Sequence, residues 1–194
     1  MDMLAALLLA LVTARFEPVT PITTAQTEQV FVHDSSAAGQ PYTDGGGHAA
    51  GFRPPRSTDS AAAPLFTATG GALNTTLAGW RAAAGNAELD PTADGGTRVR
   101  ATFAKLIPRG RYSLFVRQLA GRTGPVLTPV DITGAANTFL ADPDGNGQIT
   151  ITSPTTIPDG AQLVVIYHSD GVDHQSSVGN PGVNAHAQLI TRVP

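Results

Sequence analysis

The stretch Leu163–Gly171, with the sequence LVVIYHSDG, constrains the fold more than any other part of the chain. Val, Ile and Tyr are β-branched or aromatic, and such residues fit the pleated, buried surface of a β-sheet. The run ends in His168-Ser169-Asp170-Gly171, whose polar residues and glycine are typical of a turn. We therefore predict a buried central strand that holds polar, reactive side chains at its tip.

Alternation of apolar and polar residues marks the other strands. Within Thr97–Leu106, the residues Val99, Ala101 and Phe103 alternate with two arginines and a threonine, which gives one buried and one wet face. Short strands of this kind, separated by Gly-, Pro- and Asp-rich turns, predict an all-β fold over 64–194. The expected architecture is an antiparallel β-sandwich of the Ig-like or Greek-key type. Its predicted core contains Phe103, Leu114, Val116, Phe139, Ile149, Ile151, Val165, Tyr167 and Leu189.

One helix is predicted outside this pattern, over Asn74–Gly85. Ala and Leu favour a helix there, and Gly85 suits the position just after a helix ends. The only tryptophan, Trp80, lies within this segment and is expected to anchor the core.

The composition excludes several classes of protein. Charged residues make up only 14% of the chain and the net charge is -3, with no basic stripe, so no nucleic-acid partner is predicted. Cysteine is absent, which excludes disulfides, thiolate catalysis and cysteine-ligated metal sites such as blue copper.

The N-terminal residues 1–25 are predicted to form a hydrophobic leader of the signal-peptide type. Met3–Val12 has the length of the apolar region of such a leader and is too short to span a bilayer, so no transmembrane span is predicted. The leading residues carry Asp2 and no Lys or Arg, which favours the alternative of a short hydrophobic helix that stays in the mature protein.

Residues 26–63 are predicted to form a flexible arm or linker. Gly, Ala, Pro, Ser and Asp dominate the segment, and large apolar residues are scarce. Val30-Phe31-Val32 is the exception and predicts a short edge strand. Such an arm can add a strand to the sheet of a neighbouring copy, so a homo-oligomer is one expected assembly.

The order of motifs resembles a recurring module of secreted prokaryotic proteins. The resemblance rests on Pro64–Phe66, Gly79–Gly85, Leu106–Phe115 (LIPRGRYSLF), Asn137–Gly147 and Tyr167–Gly171 (YHSDG), and covers about two thirds of the chain. It implies a secreted β domain with an extracellular or cell-surface location. It implies no activity, because none is known for the module, and no functional residues carry over.

The stretch from Asp142 to Ile149 resembles the first part of a calcium-binding EF-hand loop. Asp142, Asp144 and Asn146 supply oxygen ligands at the first, third and fifth positions, which is the pattern that Ca²⁺ requires. Ser153 replaces the bidentate glutamate at the twelfth position. The alternative is a plain turn between two strands, since Asp, Asn and Gly are also the residues of β-turns.

Three histidines define a second candidate metal site, for Cu²⁺ or Zn²⁺. His168 ends the central strand, His186 begins the next one, and His174 lies in the loop between them, beside two aspartates. If the two strands pair, His168 and His186 flank the neck of that loop. The alternative is that all three are polar residues with local hydrogen bonds.

Two classes of function follow from the sequence. The first is a non-catalytic extracellular or cell-surface module with a structural, adhesion or assembly role, as a subunit of a multimer or filament. The second is a metal-binding or metal-dependent redox domain at the 168–186 loop. Enzyme activity is disfavoured: Ser169, Ser176 and Ser177 lie near histidines and aspartates, but no G-x-S-x-G elbow is present.

Overall fold

The computed structural model describes residues 19–22, 24–42, 46–120 and 124–194. Strands make up 45% of the described residues and helix 3%, and the sheets are antiparallel, so the predicted all-β antiparallel fold is confirmed. The elements are β1 (Thr20–Ile22), β2 (Thr24–Ala25), β3 (Val32–His33), β4 (Phe52–Arg53), β5 (Pro64–Phe66), β6 (Ala72–Thr76), α1 (Leu77–Arg81), β7 (Ala84–Pro91), β8 (Thr97–Ala104), β9 (Arg111–Ala120), β10 (Gly124–Pro129), β11 (Thr138–Leu140), β12 (Gly147–Ser153), β13 (Gln162–His168) and β14 (Ala185–Arg192).

Two sheets carry the body of the molecule. The four-stranded sheet has the order β1-β7-β8-β12, and the six-stranded sheet has the order β10-β9-β13-β14-β2, with β11 also paired to β9. The predicted central strand, β13, lies between β9 and β14. Two further small sheets pair β3 with β4 and β5 with β6.

The main core lies between the two large sheets. Val99 and Ile151 from the four-stranded sheet join Leu114 and Val165 from the six-stranded sheet in one cluster of buried side chains. All nine residues predicted for the core are buried. A smaller cluster on the opposite face of the six-stranded sheet contains Phe115, Val164, Ile166, Ala185 and Ile190. The alternation of apolar and polar residues therefore correctly predicted which side chains face inward.

The predicted helix is shorter than expected. It ends at Arg81, and Gly85 lies in β7 instead of capping the helix. A Cβ atom at Gly85 would lie 2.5 Å from Cδ1 of Phe103, so the glycine is needed for packing between neighbouring strands. Trp80 is fully buried, which confirms its predicted role in the core.

The segment predicted as a flexible arm, 26–63, packs against the body in part: a few apolar residues are buried, and much of the rest is exposed. Val30, Phe31 and Val32 are all buried, and Phe31 bridges to Phe66 rather than lying on an edge of either large sheet. Phe52 packs against Phe66 with ring centroids 5.4 Å apart. A few aromatic rings thus attach parts of this segment to the body, although its composition is poor in apolar residues.

The predicted leader, 1–25, lies outside the described residues over 1–18 and at position 23. The described remainder belongs to the two large sheets: β1 pairs with β7, and β2 pairs with β14. No helix in the described ranges is long and apolar enough to cross a membrane.

Candidate functional site

Two of the three predicted histidines lie on opposite faces of the six-stranded sheet. In the pairing of β13 with β14, His168 is opposite Ala185 and His186 is opposite Tyr167. Tyr167 belongs to the main core and Ala185 to the outer cluster, and successive residues of a strand point to opposite faces. His186 therefore faces inward and His168 faces outward, so strand pairing does not bring their rings together.

His168 is almost completely buried on the outer face, under the loop 169–184. A hydrogen bond joins its Nε2 to Ser113 Oγ at 2.7 Å, and its Nδ1 has no hydrogen-bond partner among the described residues. Burial, with a smaller contribution from the neighbouring His174, lowers the pKa of His168 to about 4. The two rings lie with their centroids 5.0 Å apart.

Asp170 organises the loop that carries His174. Its Oδ2 lies 3.0 Å from His174 Nε2 and accepts a hydrogen bond from Asn184 Nδ2 at 2.8 Å, while its Oδ1 accepts from the backbone N–H of Val172. Burial raises the pKa of this carboxyl group, but the hydrogen bonds outweigh it and the net pKa is lowered. Asp170 is therefore an ionised carboxylate whose hydrogen bonds connect the beginning of the loop to its end.

His186 forms a second pair of polar contacts on the inner face. Its Nδ1 donates to the main-chain oxygen of Gln29 at 2.7 Å, because a carbonyl oxygen can only accept. Its Nε2 lies 3.0 Å from the hydroxyl of Ser169. Burial lowers the pKa of His186 to about 4, so the ring is neutral at pH 7 and Nε2 accepts the hydrogen bond from Ser169.

These contacts limit the chemistry of the histidines. No three His, Asp or Glu side chains in the described part of the chain are arranged to hold a metal ion. The structure brings His168 and His174 together and uses both ring nitrogens of His186 for other contacts. In each serine–histidine pair, no carboxylate contacts the second ring nitrogen of the histidine, so neither pair is the usual catalytic triad.

The candidate calcium residues lie in the turn between β11 and β12. Asp142 Oδ1 accepts from the backbone N–H groups of Asp144 and Asn146, at 2.9 and 2.8 Å. These bonds, led by that from Asn146, lower the pKa of Asp142. Strands flank the turn, as the alternative interpretation expects. The carboxylate of Asp142 is engaged within the turn itself, and calcium binding stays a prediction.

One surface, the outer face of the four-stranded sheet, was not identified from the sequence. The polar residues that alternate with the buried ones in its strands could have indicated this face. The outer face of the four-stranded sheet carries an open depression of about 510 Å³. Side chains of adjacent strands line it, with hydrogen-bonding groups in the majority. The lining residues are Val19, Asn86, Glu88, Arg100, Ala101, Thr102, Gln148, Ile149 and Thr150.

The sequence matches no protein-family model, and it has no significant match among curated protein sequences. The resemblance to a secreted prokaryotic module therefore stays a prediction. The geometry of the histidine loop and of the exposed sheet face therefore bears on the function.

Proposed function

We propose that this chain is a non-catalytic extracellular or cell-surface β-sandwich module with an adhesion or assembly role. The observation that carries the proposal is the depression on the outer face of the four-stranded sheet. A wide, shallow face built from regular strands suits attachment to an extended surface better than it suits turnover of a small substrate.

The depression is rich in groups that both donate and accept hydrogen bonds. Asn86, Gln148 and the threonine hydroxyls provide them, and they belong to three neighbouring strands. Arg100 is paired to Glu88 and Asp90, at 2.9 and 2.8 Å, so its positive charge is neutralised and one carboxylate is left in excess. A neutral, hydroxyl-rich partner such as a cell-envelope polysaccharide fits this chemistry.

The reactive side chains elsewhere support a non-catalytic role. Ser113 is buried, with its hydroxyl bonded to His168, so a substrate cannot reach it. Asp131 and Asp170 each accept several hydrogen bonds within their own loops. Residues that carry chemistry in other proteins are used here to hold loop conformations.

The proposal also includes an Ig-like or Greek-key topology for the sandwich and an extracellular location. An Ig-like or Greek-key arrangement is supported by the path of the chain, which passes between the two large sheets from β8 to β9 and again from β12 to β13. An extracellular location is supported by the apolar run Met3–Val12 and by the low content of charged residues.

A binding experiment tests the adhesive face. Wild-type protein should bind isolated cell-envelope polysaccharide of the producing cells, and the double variant Asn86→Ala, Arg100→Ala should bind about tenfold more weakly or worse. Gln118→Ala, an exposed substitution on the six-stranded sheet, is the matched control. Equal binding by the double variant and the control, or none by the wild type, would contradict the proposal.

A second candidate function, binding of Cu²⁺ or Zn²⁺, is favoured by one observation. His168 is buried, its Nδ1 has no hydrogen-bond partner among the described residues, and the ring of His174 lies beside it. Two imidazoles and the carboxylate of Asp170 are donor types that zinc takes in open sites, although they are not arranged to hold a metal ion in this conformation. Binding requires Asp170 to exchange its contact with His174 for one with the metal.

A further inference from the structure

Strand β12 forms one edge of the four-stranded sheet. One side of it pairs with β8 along its whole length, and the other side pairs with no strand in the described ranges. Such an edge presents unpaired N–H and C=O groups and is a template for a further strand.

The other edge strands of the two large sheets are poor templates for a further strand. The outer strand β1 has only three residues and contains Pro21, and β2 has two residues. The edge strand β10 contains Pro125 and Pro129, and proline cannot donate to a ladder. By contrast, β12 has seven residues, GQITITS, with no proline, no charge and no bulge.

The side chains of β12 are complementary to a second β12 in antiparallel orientation. With a two-fold axis at Thr150, that residue faces its own copy and Ile149 faces Ile151 of the second copy. Gln148 then faces Thr152 of the second copy. Ile149 and Ile151 are buried and the others are exposed, so the apolar and the polar faces of the two sheets stay continuous.

Charge does not oppose this pairing. All residues of β12 are uncharged, so no like charges meet across the two-fold axis. Two arginines of β8 lie beside β12 on the outer face: Arg100, opposite Thr150, is already paired to Glu88 and Asp90, and Arg98 lies opposite Thr152, away from the two-fold axis.

We infer that two copies of the chain bind each other through the free edge of β12, joining their four-stranded sheets into one eight-stranded sheet. The inference rests on the proposed assembly role and names its surface. It differs from the sequence-based expectation, in which the N-terminal arm joins the copies.

The experiment compares two exposed threonines on the same sheet face. Thr150→Lys places like charges opposite each other at the two-fold axis, whereas Thr102→Lys makes the same change on the interior strand β8. Sedimentation should find a dimer for the wild type and for Thr102→Lys. The dissociation constant of the dimer should rise about tenfold or more for Thr150→Lys. An equimolar mixture of Thr150→Lys and Thr150→Glu should recover the dimer.

Two results overturn the inference. One is a monomeric wild type across the concentration range. The other is a Thr150→Lys variant that associates as tightly as Thr102→Lys, which would place an assembly contact elsewhere and leave the proposed function standing. Failure of polysaccharide binding by a protein that dimerises through β12 would instead remove the adhesive role alone. Circular dichroism of each variant shows that the substitution leaves the fold intact.

Discussion

The Nδ1 atom of His186 donates a hydrogen bond to the main-chain oxygen of Gln29 at 2.7 Å, although 157 positions separate the two residues in sequence. The next residue of the strand makes a second hydrogen bond to Gln29: the backbone N–H of Ala187 donates to the side-chain oxygen of Gln29. The N-terminal segment is therefore attached to the last strand by a buried, neutral imidazole.

This burial makes stability dependent on pH. The pKa of His186 is about 4 in the folded protein, whereas histidine in an unfolded chain titrates near 6.5. Between these values the unfolded state binds a proton that the folded state does not, so the free energy of unfolding falls as pH falls from 6.5 to 4. We expect a loss approaching 1.4 kcal/mol per pH unit for each such histidine, measured by urea unfolding.

The variant His186→Asn isolates this contribution. Its amide nitrogen can replace Nδ1 as donor to Gln29, but it does not titrate. We expect a smaller slope of stability against pH, with the remainder from His168, whose pKa is also about 4. A slope unchanged from that of wild type would show that His186 is not the titrating group.

Trp80→Phe should destabilise the protein by about 2–4 kcal/mol. The indole is fully buried and its Nε1 donates to the main-chain oxygen of Gln26, so the variant loses both packing and a hydrogen bond. The unfolding midpoint in urea should fall while the slope of the transition stays constant. A midpoint within error of the wild type would mean that the ring does not anchor the N-terminal segment.

Gly85→Ala should be destabilising by about 1–3 kcal/mol through overpacking. The added methyl group would lie 2.5 Å from the Phe103 ring and 2.6 Å from the main-chain oxygen of Thr102. Since the backbone oxygen cannot move freely, strands β7 and β8 must separate. The double variant Gly85→Ala, Phe103→Leu relieves only the ring contact and should recover part of the melting temperature. No change in the single variant would contradict the close strand packing.

Metal binding at His168 and His174 is tested by melting curves. At a hundredfold excess of free Cu²⁺ or Zn²⁺ over the dissociation constant, the folded state should gain about 2.7 kcal/mol. His174→Ala should abolish the rise in melting temperature, and His33→Ala, at an exposed histidine, should retain it. Equal rises in both variants would assign the effect to nonspecific binding.

The sequence identified those elements whose pattern is local. Alternation placed Val99 and Phe103 inward, and the β-branched run identified β13 as the central strand. It did not place His168 relative to His186, because that depends on the register of two strands joined by the long 169–184 loop. A shift of one residue moves a side chain to the other face of a sheet. The pairing of β2 with β14 is equally nonlocal.

That pairing also governs when the molecule can fold. Among the described residues, strand β2 pairs only with β14, and Thr191 of β14 donates to the main-chain oxygen of Pro21, 170 positions earlier. On a ribosome, β2 therefore waits until β14 has been synthesised, whereas β1 can pair with β7 earlier. Contacts of such long sequence separation slow the search for the native state. The six-stranded sheet is therefore completed only after β14 emerges, and β2 is among the last strands to find its place.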